Sequence, residues 1–394
     1  RPALRNRPKL LAVPRHLCRA MDWLAWRDEF PIFRTKTYLN TCSLAPLAQR
    51  VRQAQERFLD EWDGLGASAW YSHWLDALDE LRAKVARVLH ASKEEIALAP
   101  SASVALSSIA SCLDYGDRPK VVMADVDFPT VGHQWAVKPG VQRVFVPSED
   151  RVWVRPDKFE QAIDDRTAAV ATSHVIYVSG AIQDIARIAK AAHGCGALSI
   201  IDAYQATGQL PTDVHAAGVD VLITGGLKWL LGGTGIAFLY VRRDLINNLR
   251  PTITGWFADE RQFEFDPNTF EFRGDARRFE LGTTANAAVY AANAGLDVVV
   301  EIGVDRIRAR TTELVNDLVD RAADAGLEIK TPLDPRARAG IVMIRRSEPA
   351  QDVKGLARDG IIADYRHDRV RVSPYFYNTE DDNVRVVEAL KALG

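Results

Sequence analysis

A lysine set in an apolar, glycine-rich stretch is the first residue whose type and place suggest chemistry. The stretch is Gly225-Gly226-Leu227-Lys228-Trp229-Leu230-Leu231-Gly232-Gly233. Val219–Thr224 before it and Gly235–Val241 after it are apolar runs of strand length. Lys228 is therefore expected in a turn between two buried strands, with glycines that let other groups approach the backbone. An ammonium in such a place is costly unless its amine is neutral or in use. Leu198–Asp202 reads as another buried strand, ending in a carboxylate. Neighbouring parallel strands would bring Asp202 and Lys228 to the carboxyl edge of one sheet, where open α/β sheets bind ligands.

Pyridoxal phosphate requires such a pair: a lysine to hold its aldehyde as a Schiff base, and a carboxylate to keep the pyridine nitrogen protonated so that the ring accepts electrons. The spacing alone fits equally well an aspartate that caps a helix and a lysine that reaches solvent from a loop. Three further segments are expected at the same sheet edge. Pro100-Ser101-Ala102-Ser103-Val104 joins a strand to a helix. Its hydroxyls suit capping, and the free N–H groups of a helix N-terminus suit phosphate. Phe128, held by the turn that Pro129 imposes, is placed to stack on a flat ring or to pack in the core. Tyr177, after the run from Ala168 to Ser173, can hydrogen-bond a substrate or cofactor oxygen, whereas His174 reads as structural rather than as a base.

The elements that must position these residues alternate. Strands are expected at Ile96–Ala99, Val121–Ala124, Val141–Val146, Ala168–Ser173, Leu198–Asp202, Val219–Thr224 and Ile236–Val241. Helices are expected at Val104–Leu113, Asp157–Ile163 and Ile185–His193. This is the pattern of an α/β protein with a doubly wound, mostly parallel sheet. Before it, a short helix is expected over Asp22–Phe33, then one from Pro46 through Glu61 and one over Trp74–Leu89. Trp62, Trp70, Tyr71 and Trp74 crowd a Gly64–Gly66 break, as core packing or as the wall of a site for an apolar substrate part. After Thr254 the pattern changes. Phe257–Arg278 reads as irregular, Ala287–Ile302 and Arg306–Ala325 as long helices, Leu327–Lys330, Ile341–Arg345 and Arg369–Val372 as short strands, and Asp381–Leu393 as a last helix. The organisation expected is a basic extension at 1–20, a segment at 21–45 packing on the small domain, a large domain at 46–255, a connection at 256–285 and a smaller α+β domain at 286–394.

Composition bounds the partners. The 394 residues carry a net charge of −2, with 26% charged residues and no long basic stripe after residue 20, which argues against nucleic acid as the main partner. No apolar run approaches membrane-spanning length. Cys18, Cys42, Cys112 and Cys195 lack metal-site spacing and read as reduced thiols of a cytoplasmic protein. Residues 1–20 hold six basic and no acidic side chains, and Met21 follows, so the natural start is expected at Met21. A basic arm gripping an anionic partner is the alternative.

Taken together, Asp202-Ala203-Tyr204-Gln205, Leu210-Pro211-Thr212-Asp213-Val214, Gly218-Val219-Asp220, Lys228-Trp229-Leu230 and Gly233-Thr234-Gly235 resemble the class V aminotransferase family. That family holds cysteine desulfurases, selenocysteine lyases, isopenicillin-N epimerases, C–S lyases and, more distantly, kynureninases, all fold-type I pyridoxal phosphate enzymes. The resemblance runs from about Tyr38 to the C-terminus. It implies Lys228 as the Schiff-base lysine, Asp202 as the pyridinium partner and Gln205 facing the cofactor's phenolic oxygen. It further implies Ala102 and Ser103 in the phosphate loop, Phe128 as the stacking aromatic, and Arg371 as the bidentate clamp on the substrate α-carboxylate. Gly282-Thr283 resembles the segment that crosses to the phosphate of a second subunit, which implies a homodimer with active sites at the subunit interface. Phe128-Pro129-Thr130, His174-Val175-Ile176-Tyr177, Gly255-Trp256-Phe257 and Gly360–Arg366 are similar to the kynureninase branch, where Trp256 would reach a phosphate.

Two positions depart from the pattern. Leu227 stands where His or Tyr is usual, and Gly225 or Gly226 replaces a serine phosphate ligand, which leaves the backbone, Thr224 or the other subunit to hold the phosphate. All four cysteines precede residue 200, whereas desulfurases carry a mobile cysteine in the smaller domain. The resemblance therefore implies a lyase that removes a Cβ substituent, with a sulfur leaving group first, from a small amino-acid substrate. Kynureninase-like hydrolysis, transamination and epimerisation use the same groups. A cofactor-binding scaffold would not need Arg371.

Overall fold

The structure is a computed structural model that describes residues 21–148 and 150–393; the basic arm at 1–20 lies outside them. The first helix is shorter than expected. Asp22 caps Trp23–Arg27 (α1), accepting from the Ala25 N–H at 3.0 Å. Pro31 then holds Phe30 in an extended conformation, and Pro31–Arg34 forms a separate 3-10 turn. Thr37–Tyr38 (β1) pairs in parallel with Ile361–Ile362, at the far end of the chain. Gln49–Leu65 (α2) begins three residues after Pro46 and ends at Gly66, whose φ is +54°. Leu75–Leu89 (α3) follows a π-helical turn at Trp70–Trp74.

The large sheet has seven strands: Ile96–Ala99 (β2), Lys120–Ala124 (β3), Gln142–Val146 (β4), Thr167–Ser173 (β5), Leu198–Asp202 (β6), Val221–Gly225 (β7) and Ala237–Val241 (β8). Their order is β2-β8-β7-β6-β5-β3-β4. Only β8 runs against its neighbours, so the carboxyl ends of the other six share one edge. Successive side chains of a strand point to opposite faces. Ile201, Leu222 and Phe238 accordingly join the core under α2 and α3, while Ile200, Val221 and Leu239 join the opposite core. The second core is covered by Ala102–Ala110 (α4) and Pro129–Ala136 (α5). Pro129, expected to impose a turn, instead occupies the first position of α5, where its missing N–H costs nothing and its fixed φ suits the helix. Pro156–Ala162 (α6) and Ile185–Gly194 (α7) complete the alternation, and Arg243–Ile246 (α8) follows the last strand.

Trp256–Phe279 holds only short 3-10 turns, as the sequence suggested. Asn286–Ile302 (α9) and Val304–Asp324 (α10) meet at Gly303 with an 80° bend. Among the described residues no single helix is long and apolar enough to cross a membrane. The smaller α+β part holds Val342–Arg345 (β9), Pro349–Arg358 (α11), Ile361–Ile362 (β10), Asp364–Arg366 (β11), Arg369–Val372 (β12) and Glu380–Ala392 (α12). Its antiparallel sheet has the order β11-β12-β9. The strand expected at Leu327–Lys330 is reduced to one bridge between Ile329 and Ile344. Hydrophobic periodicity alone does not mark α11, β10 or β11.

One buried ion pair ties the layers. Arg82 on α3 donates to Glu280 at 3.0 and 2.8 Å, and Glu280 also accepts from the Leu98 N–H of β2 at 3.0 Å. Both side chains are almost fully buried. Arg82 keeps a second partner, the half-exposed Asp79 at 2.6 Å, whereas Glu280 has Arg82 as its ion-pair partner, so removing Arg82 strands the buried carboxylate. Arg82→Ala is therefore expected to lower the unfolding free energy by about 3–5 kcal/mol, read as a shift of the denaturant midpoint at constant slope.

Candidate functional site

A cavity of about 360 Å³ opens at the shared carboxyl edge. Register places Ser173 opposite Asp202 and Asp202 opposite Ile223, so β5, β6 and β7 end side by side. Asp202 is the last residue of β6, and Lys228 lies three residues beyond β7 in the turn before β8; both line the cavity. Asp202 accepts one hydrogen bond from the Tyr204 N–H at 2.9 Å. Burial raises its carboxyl above the ordinary value, against the pull of that N–H and of Lys228. Burial lowers Lys228 to about 8, and the guanidiniums of Arg371 and Arg366 add to the effect. Its Nζ lies 4.8 Å from the ring centroid of Tyr204 and 5.8 Å from that of Phe128. The structure thus holds an amine that is readily neutral beside a carboxylate that lacks an ion-pair partner within reach among the described residues.

Phe128 sits immediately before Pro129, at the cap of α5, and its ring meets Tyr177 edge-on at 5.3 Å. Ser101, Ala102 and Ser103 line the cavity at the N-terminus of α4. Ser101 spends its hydroxyl on the cap, accepting from the Val104 N–H at 3.2 Å, while Ser103 Oγ lies 3.2 Å from Thr130 Oγ1. Gln205 is held on two sides: its Nε2 donates to the Cys42 carbonyl at 2.9 Å and its Oε1 accepts from the Trp229 indole at 2.8 Å. One amide N–H remains for the cavity. Arg371, on β12, enters from the smaller part. It donates to Ser43 Oγ at 2.6 Å, to Asp364 Oδ2 at 2.9 Å and to the Tyr177 carbonyl at 3.3 Å, and its Nε has no partner.

Three expected residues are elsewhere. Thr224 is buried with its hydroxyl 3.5 Å from the Ala203 carbonyl, and it does not line the cavity. Trp256 and Thr283 line a separate concavity of about 180 Å³ with Trp70, Tyr71, Phe263 and Phe265. The tryptophan cluster does not wall the cavity either. Trp74 is core, whereas Trp62 and Tyr71 are exposed. His174 is buried with Nδ1 unpartnered, and burial lowers it to about 4, which keeps it neutral.

Several further residues line the cavity without being expected there from the sequence: Cys42 and Ser43 from the N-terminal segment, Thr130 from α5, Tyr204 beside Asp202, and Arg366. Tyr204 and Arg366 stand inside stretches already singled out. Cys42 and Ser43 carry no local signal, because they reach the cavity through the β1–β10 pairing and the Asn40–Ser373 bridge. Cys42 is fully buried, and its N–H donates to Ser373 Oγ at 3.0 Å. Its carbonyl is also bonded, and its Sγ lies 3.8 Å from Asn40 Oδ1.

The arrangement fits pyridoxal phosphate. A poised amine, a half-buried carboxylate in want of a proton donor, a helix N-terminus and an aromatic face converge on a cavity of suitable size. The fold and site define a pyridoxal-phosphate-dependent enzyme of fold type I. The chain belongs to the class V aminotransferase family, whose pattern (Aminotransferase class-V) matches residues 37–385. It is 34% identical over 370 residues to the uncharacterized aminotransferase YcbU of Bacillus subtilis (strain 168), covering 93% of this chain and 97% of that one. It is 27% identical to a kynureninase of Geobacillus thermodenitrificans (strain NG80-2), covering 93% and 90%. The structure of the cystine C–S lyase C-DES superposes with a TM-score of 0.85 at 19% identity, over 92% of this chain and 99% of that one.

A protonated amine has no lone pair with which to capture an aldehyde. Lys228 is neutral above about 8 and charged below it. The rate at which the cofactor-free chain forms its lysine adduct should rise about tenfold per pH unit up to pH ~8 and then level off. Stopped-flow absorbance across pH 6–10 checks this; a profile that still climbs at pH ~10, as for an ordinary lysine, would contradict it.

Proposed function

We propose that the chain is a lyase that removes a sulfur substituent from Cβ of an amino acid, with Lys228 as both the cofactor attachment and the general base. The observation that carries this is the cavity lining. Among the described residues it contains one carboxylate, Asp202, and no histidine, so Lys228 is the group suited to move a proton. β-Elimination needs only that: a base for the α-proton and a leaving group able to depart with its electron pair. Hydrolytic cleavage needs a further group to activate water.

When bound, pyridoxal phosphate supplies an electron-withdrawing ring that takes up charge from the substrate Cα. The chain's own residues do the rest. Asp202 would keep the pyridine nitrogen protonated, Phe128 would pack on the ring and Gln205 would face the phenolic oxygen. Tyr177 borders the substrate side beside Phe128. The backbone N–H groups of Ala102 and Ser103 receive the phosphate at the start of α4. Arg371 grips the α-carboxylate, exchanging its bond to Asp364 for one to the substrate. Lys228 would take the α-proton at its neutral Nζ, and the sulfur substituent would depart from Cβ with the bonding electron pair.

Trp256 and Thr283 are assigned to the phosphate of a second copy of the chain. Their distance from the chain's own cavity and the exposed aromatic rings around them, Tyr71, Phe263 and Phe265, support a homodimer built on that face. A kynureninase-like reaction is the second reading, favoured by the relative of that name and by the Gly255-Trp256-Phe257 stretch.

Product analysis separates the readings. With cysteine conjugates and their sulfoxides, pyruvate and ammonia are expected. Alanine released from a kynurenine would move the assignment to the hydrolytic branch. Lys228→Ala should abolish turnover of every substrate. Arg371→Lys keeps the charge but loses the fork, and should raise KM about 10–100-fold for α-amino acids with a smaller change in kcat; a kcat-only effect would remove Arg371 from carboxylate binding.

A further inference from the structure

The phosphate end of the cavity lacks a side-chain hydroxyl where the family resemblance expects one. Gly225 or Gly226 occupies that place; a Cβ at Gly226 would meet Ile236 and Gly232, so Gly225 is the one that faces a cavity residue, and the Thr224 hydroxyl lies 3.5 Å from the Ala203 carbonyl. The space beside Gly225 is nevertheless filled. A Cβ built there would lie 2.5 Å from the Tyr204 hydroxyl oxygen and 2.6 Å from two of its ring carbons. Tyr204 and a side chain at 225 therefore exclude each other. The phenol stands in the volume that a 225 side chain would take.

That volume belongs to the cavity. Tyr204 lines it, and Lys228 Nζ lies over its ring. Gly225 ends β7, and α4, whose N-terminal Ser101–Ser103 line the same cavity, packs on β7 and β8. The phenol also has suitable chemistry. Burial pushes it up to about 12, so it stays protonated and can donate. The Leu227 backbone N–H acts on its oxygen, and the described residues offer its proton no hydrogen-bond acceptor.

We infer that the Tyr204 hydroxyl is a ligand of the cofactor phosphate, replacing the hydroxyl missing at Gly225. The inference rests on the reading of the Lys228 cavity as the cofactor site. A phosphate dianion accepts from a neutral donor in a charge-assisted bond, the kind whose loss weakens binding by about one to two orders of magnitude. The role is one of positioning: the hydroxyl fixes the phosphate, and through it the distance of the aldehyde from Lys228.

Binding of two probes, pyridoxal phosphate and phosphate-free pyridoxal, tests it by fluorescence and absorbance titration of the full chain. Tyr204→Phe keeps the ring in its place and removes only the oxygen. It is expected to weaken pyridoxal phosphate about tenfold or more and to leave pyridoxal unchanged. Tyr204→Ala should lose more. Adding Gly225→Ser to it, which the vacated space now admits, should recover affinity for the phosphorylated probe alone. A Tyr204→Phe chain that weakens both probes alike, or neither, overturns the inference. So does a Y204A/G225S chain that binds no better than Y204A. Failure of the wild-type chain to form a Lys228-dependent visible absorbance band would instead sink the cofactor reading itself.

Discussion

The structure depends on holding a lysine and a carboxylate close together where water is scarce. Neither group is comfortable alone: burial raises Asp202 and lowers Lys228, so each is pushed toward its neutral form. Placing them at the end of one strand and just past the next lets each feel the other's charge without an ion pair between them. The tension is useful because a third party with a protonated ring nitrogen and an electrophilic carbon relieves both ends at once. The parallel sheet, the antiparallel turn-back at β8 and the glycines around Lys228 all serve to keep this unmet demand in register.

Much of this was legible in the chain. Lys228 and Asp202 could be placed because apolar runs of strand length lead directly into them, and strand ends at one edge follow from parallel pairing. The doubly wound sheet followed from the same alternation. What escaped has identifiable physical causes. A proline after a strand signals a change of direction without saying whether a helix follows, so α5 was read as a turn. Leu327–Lys330 has strand composition, but its neighbour Ile344 engages only one of its residues. Cys42 and Ser43 arrive through pairing with residues more than three hundred positions away, and nothing local encodes that.

The smaller part is not an appendage. β1 sits beside β10, and Leu39 lies in the core of the smaller part together with Val342 and Val372. The Cys42 carbonyl meanwhile receives Gln205 from the large sheet. The N-terminal segment is thus the joint at which the two parts share one cavity, and Arg371 reaches across that joint. On the proposed reading, chemistry and recognition separate: groups at the sheet edge would act on the ring and the proton, while Arg371 on β12 would read the ligand's acid end.

Asp364 gives that recognition a particular character. Its Oδ2 accepts from Arg371 at 2.9 Å, from Ser43 at 2.8 Å and, as an ion pair, from Arg366 at 2.8 Å. The clamp is therefore never empty. It is filled by a tethered acid at high local concentration, against which any visiting carboxylate must compete. A simple acid such as acetate or lactate meets that competitor with one handle only and gains little. On the proposed reading, an α-amino acid has a second handle, its amine, which would replace Lys228 at the cofactor aldehyde and let it win the exchange. Selectivity for two-handled ligands would in this way be written into an internal rival rather than into the shape of the pocket.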